Sequence, residues 1–113
     1  VTRALLLAIC LAICLAVCLT AICPAQTKAD PDKGNEVFDE QCAQCHTASG
    51  DERKAGPSLQ FLFAKPKLES NGKPVNEANV REKIEKGGNG MPAFKDTLAA
   101  DDKTNLLAYL KTL

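Results

Sequence analysis

The stretch Gln41-Cys42-Ala43-Gln44-Cys45-His46 constrains this chain more than any other. Two cysteines with two residues between them, and a histidine directly after the second, form the attachment pattern for c-type haem. Each thiol can bond one vinyl group of the porphyrin, and the adjacent imidazole then faces the iron. Positions 42 to 46 thus supply both the covalent tether and one axial ligand. A chain with this motif has to fold so that it delivers the second ligand and keeps water off the ring.

Two other uses of the motif fit less well. A dithiol redox pair calls for a thioredoxin-like βαβ context, which the pattern does not contain. Structural zinc wants four Cys or His ligands. Beyond residue 25 only Cys42, Cys45 and His46 are of those types.

The chain has 113 residues, enough for one small domain. Its hydrophobic fraction of 45% is concentrated in an N-terminal run, and the rest holds four Phe, one Tyr and no Trp. That is a thin core, and small domains often need a cofactor or staple to compensate. A porphyrin would give such a core a large flat surface to pack on. The 14 basic and 14 acidic residues balance. Nucleic-acid binding, which needs a basic patch or stripe, is not indicated.

Residues 1–25 read as a secretory signal: Arg3, an apolar run from Ala4 to Cys23, and the small-residue site Cys23-Pro24-Ala25 before Gln26. The competing reading is an uncleaved anchor, because the apolar run 4–23 is just long enough to span a bilayer. Cys10, Cys14 and Cys18 fall on one helical face of that run and act there as small apolar side chains. Either way the domain 26–113 is expected outside the cytoplasm, in the periplasm or on the outer membrane surface.

Within that domain Asp30-Pro31 predicts a helix start, with Asp as cap and Pro at the first helical position. Gly34, Val37, Phe38, Gln41 and Cys42 follow on one face. Residues 47–56 read as a solvated loop and 60–64 as a short helix. Residues 65–74, with Asn71-Gly72, read as turns rather than a hairpin. A second long helix is expected from a cap at Asn76 or at Asn79 paired with Glu82. It would turn Val80 and Ile84 inward and Arg81, Glu82, Lys83, Glu85 and Lys86 to water. Gly87-Gly88-Asn89-Gly90 ends it, and three glycines there permit close approach to something flat. A last helix from about Ala99 presents Leu106, Tyr109, Leu110 and Leu113 on one face. No convincing strand and no internal repeat appear, so the expectation is an all-α fold with a single haem.

His46 is the only histidine and Met91 the only methionine. Two histidine ligands from one chain are therefore impossible. The sixth position falls to Met, Lys, a terminal amine, water or nothing. Met91 is the strongest of these, since it follows a Gly-rich loop, precedes a stiff Pro, and forms with His a known c-type pairing.

Taken together, these residues resemble class I cytochrome c over about Asp32 to Leu113. Gly34 and Phe38 stand before the attachment motif at the family's spacing. Gly56-Pro57-Ser58-Leu59 is similar to its segment after the haem-binding site, and Gly90-Met91-Pro92-Ala93-Phe94 to its methionine loop. Leu106 with Tyr109 is similar to its C-terminal helix. The resemblance implies a small all-α fold of three to four helices wrapped around one covalently attached haem. It implies that Gly34 and Phe38 cross the terminal helix near Leu106 and Tyr109. It also implies that the Pro57 carbonyl accepts the ring N–H of His46, and that Pro57 and Leu59 belong to the haem site. Ala99 departs from the family's capping Ser, with Thr97 as a possible substitute. The residues do not single out the propionate partners; Arg53, Lys54 and Asn89 are candidates.

The function expected is that of a monomeric one-electron carrier, not an enzyme, working between redox protein partners. A membrane contact is expected only if the leader is retained. The alternative is an electron-transfer subunit of a larger dehydrogenase or oxidase. An enzyme or gas sensor with an open iron site would require Met91 to stay off the iron.

Overall fold

A computed structural model describes residues 28–113. The leader, whether signal peptide or anchor, and Cys10, Cys14 and Cys18 lie outside the described residues. The first helix, α1, spans Pro31–Gln41. Asp30 caps it: its Oδ1 accepts from the amides of Asp32 at 3.0 Å and Lys33 at 3.3 Å. Pro31 sits at the first helical position, where a missing N–H costs nothing.

Two further helices follow, α2 at Glu77–Lys86 and α3 at Ala100–Leu110. The main packing unit is α1 against α3. Gly34 and Phe38 are the buried residues of α1; Leu106, Leu107 and Leu110 are buried on α3. A Cβ on Gly34 would lie 2.0 Å from the carbonyl oxygen of Asn105 and 2.8 Å from Cβ of Tyr109. Only glycine therefore fits at the crossing. The Phe38 and Tyr109 rings pack with centroids 5.5 Å apart, and the Asn105 side chain accepts the Asp30 amide at 2.9 Å. Leu106 and Leu107 are each 1% exposed. Such burial stabilises by about 1.5–3 kcal/mol per side chain.

The cap of α2 is Asn76, whose Oδ1 accepts from the Asn79 amide at 2.9 Å. The pairing of Asn79 with Glu82 does not form; Glu82 instead meets Lys73 and Lys86. Val80 and Ile84 point inward as the periodicity requires. At the start of α3 the expected hydroxyl is replaced by a carboxylate one turn on, where Asp102 Oδ2 accepts the Ala99 amide at 3.3 Å.

The expected helix over 60–64 is a single 3-10 turn, Leu62–Ala64. Phe61, at a left-handed φ of 55°, leads into it and is 62% exposed. Its amide donates to the carbonyl of Leu113 at 2.9 Å, which fixes the end of the chain. The segment 65–74 closes on itself more than the turn reading allowed. Lys67 and Pro74 form an isolated bridge, and the Leu68 amide reaches the Lys73 carbonyl at 2.8 Å. No strand develops among the described residues, so the fold is all-α. Lys103 is the unforeseen core residue. It is 8% exposed, and its ammonium donates to the Lys95 carbonyl at 2.7 Å and reaches Glu85 at 3.4 Å. A buried charge is tolerated when it is paired and hydrogen-bonded in this way.

Candidate functional site

Helix α1 delivers the attachment motif. Cys42 is its C-cap, with its amide bonded to the Phe38 carbonyl at 2.8 Å. The next residues form a tight turn in which the amides of Cys45 and His46 both reach the Cys42 carbonyl, at 3.0 and 2.9 Å. The chain then loops out and returns alongside. The Gly56 amide donates to Cys45 and the Leu59 amide to Thr47. This return brings Pro57 to His46, whose Nδ1 lies 2.7 Å from the Pro57 carbonyl oxygen. A carbonyl can only accept, so Nδ1 carries a proton, which in the neutral imidazole leaves the lone pair on Nε2. Gly56 leaves room for the ring: a Cβ there would sit 2.4 Å from Cε1 of His46.

One cavity of about 580 Å³ collects the site. Cys42, Cys45, His46, Pro57, Leu59 and Met91 all line it. Its remaining wall is largely apolar, with Leu62 and Leu68, Val80 and Ile84 of α2, and Leu106 and Leu110 of α3. Both thiols are free. Burial, and then the neighbouring Cys45, push the Cys42 thiol up to about 11, so it stands as a neutral thiol at pH 7. A set of two thiols, one imidazole with a free Nε2 and one thioether on an apolar cavity fits a covalently tethered haem.

Met91 enters from the turn that ends α2. Gly87, Gly88, Asn89 and Gly90 all have positive φ, at 63°, 103°, 56° and 87°. Gly88 and Met91 exchange backbone hydrogen bonds of 2.9 and 3.2 Å. The Phe94 amide then rejoins α2 at the Ile84 carbonyl, 3.0 Å away.

Residues 29–110 match the family described as cytochrome C oxidase, cbb3-type, subunit III. The chain belongs to the cytochrome c family. Among its relatives is cytochrome c6 of Leptolyngbya boryana, 34% identical over 82 residues that cover 73% of this chain and 91% of that protein. Another is the cytochrome bc1 complex cytochrome c subunit of Corynebacterium diphtheriae, 33% identical over 85 residues. That match covers 74% of this chain but only 27% of the larger subunit. Cytochrome c6 of the diatom Phaeodactylum tricornutum superposes with a TM-score of 0.59 at 26% identity, over 74% of this chain and 93% of that one. Family membership carries covalently bound haem c with it.

The geometry brings together every site residue expected from the sequence of this cytochrome. It also separates the three propionate candidates. Arg53 lines the cavity and pairs with Glu69 at 2.9 Å, which holds that carboxyl below its usual range. Asn89 lines it too, and its amide donates to the Ser70 carbonyl at 3.1 Å. Lys54 is not among the lining residues and sends its ammonium to the Ala43 carbonyl at 2.8 Å. Arg81, Glu82, Glu85 and Lys83, all expected in water, are half-buried, and of these four the one that lines the cavity is Lys83. Its place in the last turn of α2 was the available signal, since lysines there can bond the final carbonyls.

Proposed function

We propose that this cytochrome is a monohaem one-electron carrier, its haem c tethered through Cys42 and Cys45 and its iron held between His46 and Met91. The observation that supports this most is the convergence of both thiols, His46 and Met91 on one apolar cavity, with His46 Nδ1 already committed to Pro57. When bound, the haem supplies a ferric–ferrous couple.

The chain's own residues do the remaining work. The Pro57 carbonyl orients the imidazole and, by accepting its N–H, makes Nε2 a better donor. Met91 contributes a soft thioether that raises the reduction potential beside a histidine. Leu59, Leu68, Ile84 and Leu106 keep water from the ring. Were His46 and Met91 both to hold the iron, no coordination site would be left for a substrate, which favours a carrier over an enzyme.

Donor and acceptor would be redox proteins that dock in turn through a small, weak interface, as redox encounters usually do. The protein would work as a monomer in the periplasm or on the outer face of a membrane, with 1–25 as signal peptide or 4–23 as anchor. Among the described residues no helix is long and apolar enough to cross a membrane. A second reading, a domain of a larger electron-transfer complex, is favoured by the similarity to the Corynebacterium bc1 subunit, of which this chain matches 27%.

Carbon monoxide separates a closed iron from an open one. The reduced protein is expected to keep its spectrum under carbon monoxide at neutral pH and to titrate as a single one-electron wave. Rapid carbon monoxide binding would contradict the carrier reading and favour an enzyme or sensor.

A further inference from the structure

Lys83 bridges the end of α2 to the turn that carries Met91. Its ammonium donates to the carbonyl of Gly87 at 3.1 Å and to that of Gly88 at 3.0 Å. Gly88 in turn exchanges both of its backbone hydrogen bonds with Met91. One cation thus connects a packed helix to the residue pair that carries the thioether. The helix that carries Lys83 is itself anchored beside it, since Val80 and Ile84 are 3% and 6% exposed.

The turn needs an external hold. Four consecutive residues at positive φ, three of them glycine, lose more conformational freedom on ordering than any ordinary loop. Gly87 is also wedged in place: a Cβ there would fall 2.4 Å from the Met91 carbonyl oxygen and 2.6 Å from that of Pro92. The turn is close-packed on the Met91 side, while a Cβ on Gly90 would meet nothing within 4 Å. Lys83 adds two charge-assisted hydrogen bonds to its first two carbonyls, stronger than neutral ones. Its charge also suits the C-terminal end of α2.

We propose that Lys83 is a positioning residue for the sixth iron ligand: by pinning the Gly87 and Gly88 carbonyls it sets how long Met91 stays in place. This inference rests on the reading of Met91 as ligand. It assigns a job to a side chain that never touches the iron.

The test is the rate at which cyanide replaces the methionine in the ferric holoprotein, at cyanide concentrations where methionine release limits the rate. Lys83→Met keeps the stem, removes both donations and should speed replacement on the order of tenfold. Lys83→Arg, which keeps a cationic donor, should recover most of the wild-type rate. Lys83→Gln, with a neutral amide donor, should fall between them and carries the comparison if Lys83→Met does not hold haem. Lys111→Met is the control. It removes the same charge, from a lysine paired with Glu77, and should leave the rate unchanged. Replacement in Lys83→Met at the rate of the wild type or of the control would overturn the inference while leaving Met91 as ligand. A wild-type protein without the near-infrared band of methionine–iron ligation would overturn the ligand reading, and this inference with it.

Discussion

Met91→Ala is expected to abolish the near-infrared methionine–iron band of the ferric protein and to lower its reduction potential by at least about 0.1 V. That is a fraction of the roughly 0.8 V over which axial ligands move haem potentials. For one electron it corresponds to about 2.3 kcal/mol of lost preference for the ferrous state. The cause is the donor. A thioether is soft and neutral and favours the lower oxidation state, and no second methionine or histidine exists in the chain to replace it. The emptied position would then take water in the ferric state and carbon monoxide in the ferrous state. The fold should persist, because Met91 is only half-buried and the turn around it is held through Gly87, Gly88 and Lys83. Spectroelectrochemical titration of the variant checks this. An unchanged band and potential would remove Met91 from the iron.

Gly34→Ala is expected to cost about 3 kcal/mol of stability, although alanine is the better helix former by about 1 kcal/mol. The new methyl would stand 2.0 Å from the Asn105 carbonyl oxygen and 2.5 Å from its carbon. Both are backbone atoms of α3 and cannot rotate aside, so α1 and α3 have to separate. Separation would strain the Asp30–Asn105 hydrogen bond and the Phe38–Tyr109 ring contact together. Overpacking alone costs about 1–3 kcal/mol or more, and each hydrogen bond lost adds about 1 kcal/mol. For a domain of this size each 1 kcal/mol moves Tm by about 4–8 °C, so thermal unfolding should come roughly 12–24 °C lower. The sign decides the matter. If helix propensity dominated, Tm would rise.

The parts of the site that were legible in the sequence are those carried by contiguous or unique residues. Cys42, Cys45 and His46 lie within one turn, so no tertiary information is needed to join them. Met91 stands alone of its type, and Gly34 falls at a helical spacing from Phe38. The Pro57–His46 hydrogen bond came from family resemblance, not from any local pattern. What stayed hidden were the directions of long side chains. Lys83 read as a solvated lysine on a helix surface, and nothing in the pattern marked Lys103 as buried. Yet the first reaches forward to the Gly87 and Gly88 carbonyls just past its own helix, and the second is enclosed by Glu85 and Lys95. A four-carbon stem reaches several partners, and only the packing of neighbouring elements selects one. The choice between Asn76 and Asn79 as cap was similarly open, because both precede the apolar periodicity of α2. The short helix expected over 60–64 starts only at Leu62, because Phe61 takes a left-handed φ and its amide pairs with the Leu113 carbonyl, far away in sequence, instead of within a helix.

The attachment itself is the central claim, and the intact mass of the protein purified from a host that assembles c-type cytochromes tests it most directly. The expected result is one polypeptide beginning at Gln26, or retaining its N-terminal segment, with the mass of a single haem added and not removed by acid extraction. Digestion should place that haem on the peptide bearing both Cys42 and Cys45. A protein from such a host whose mass lacks haem, or whose two cysteines both remain free thiols, would contradict the account.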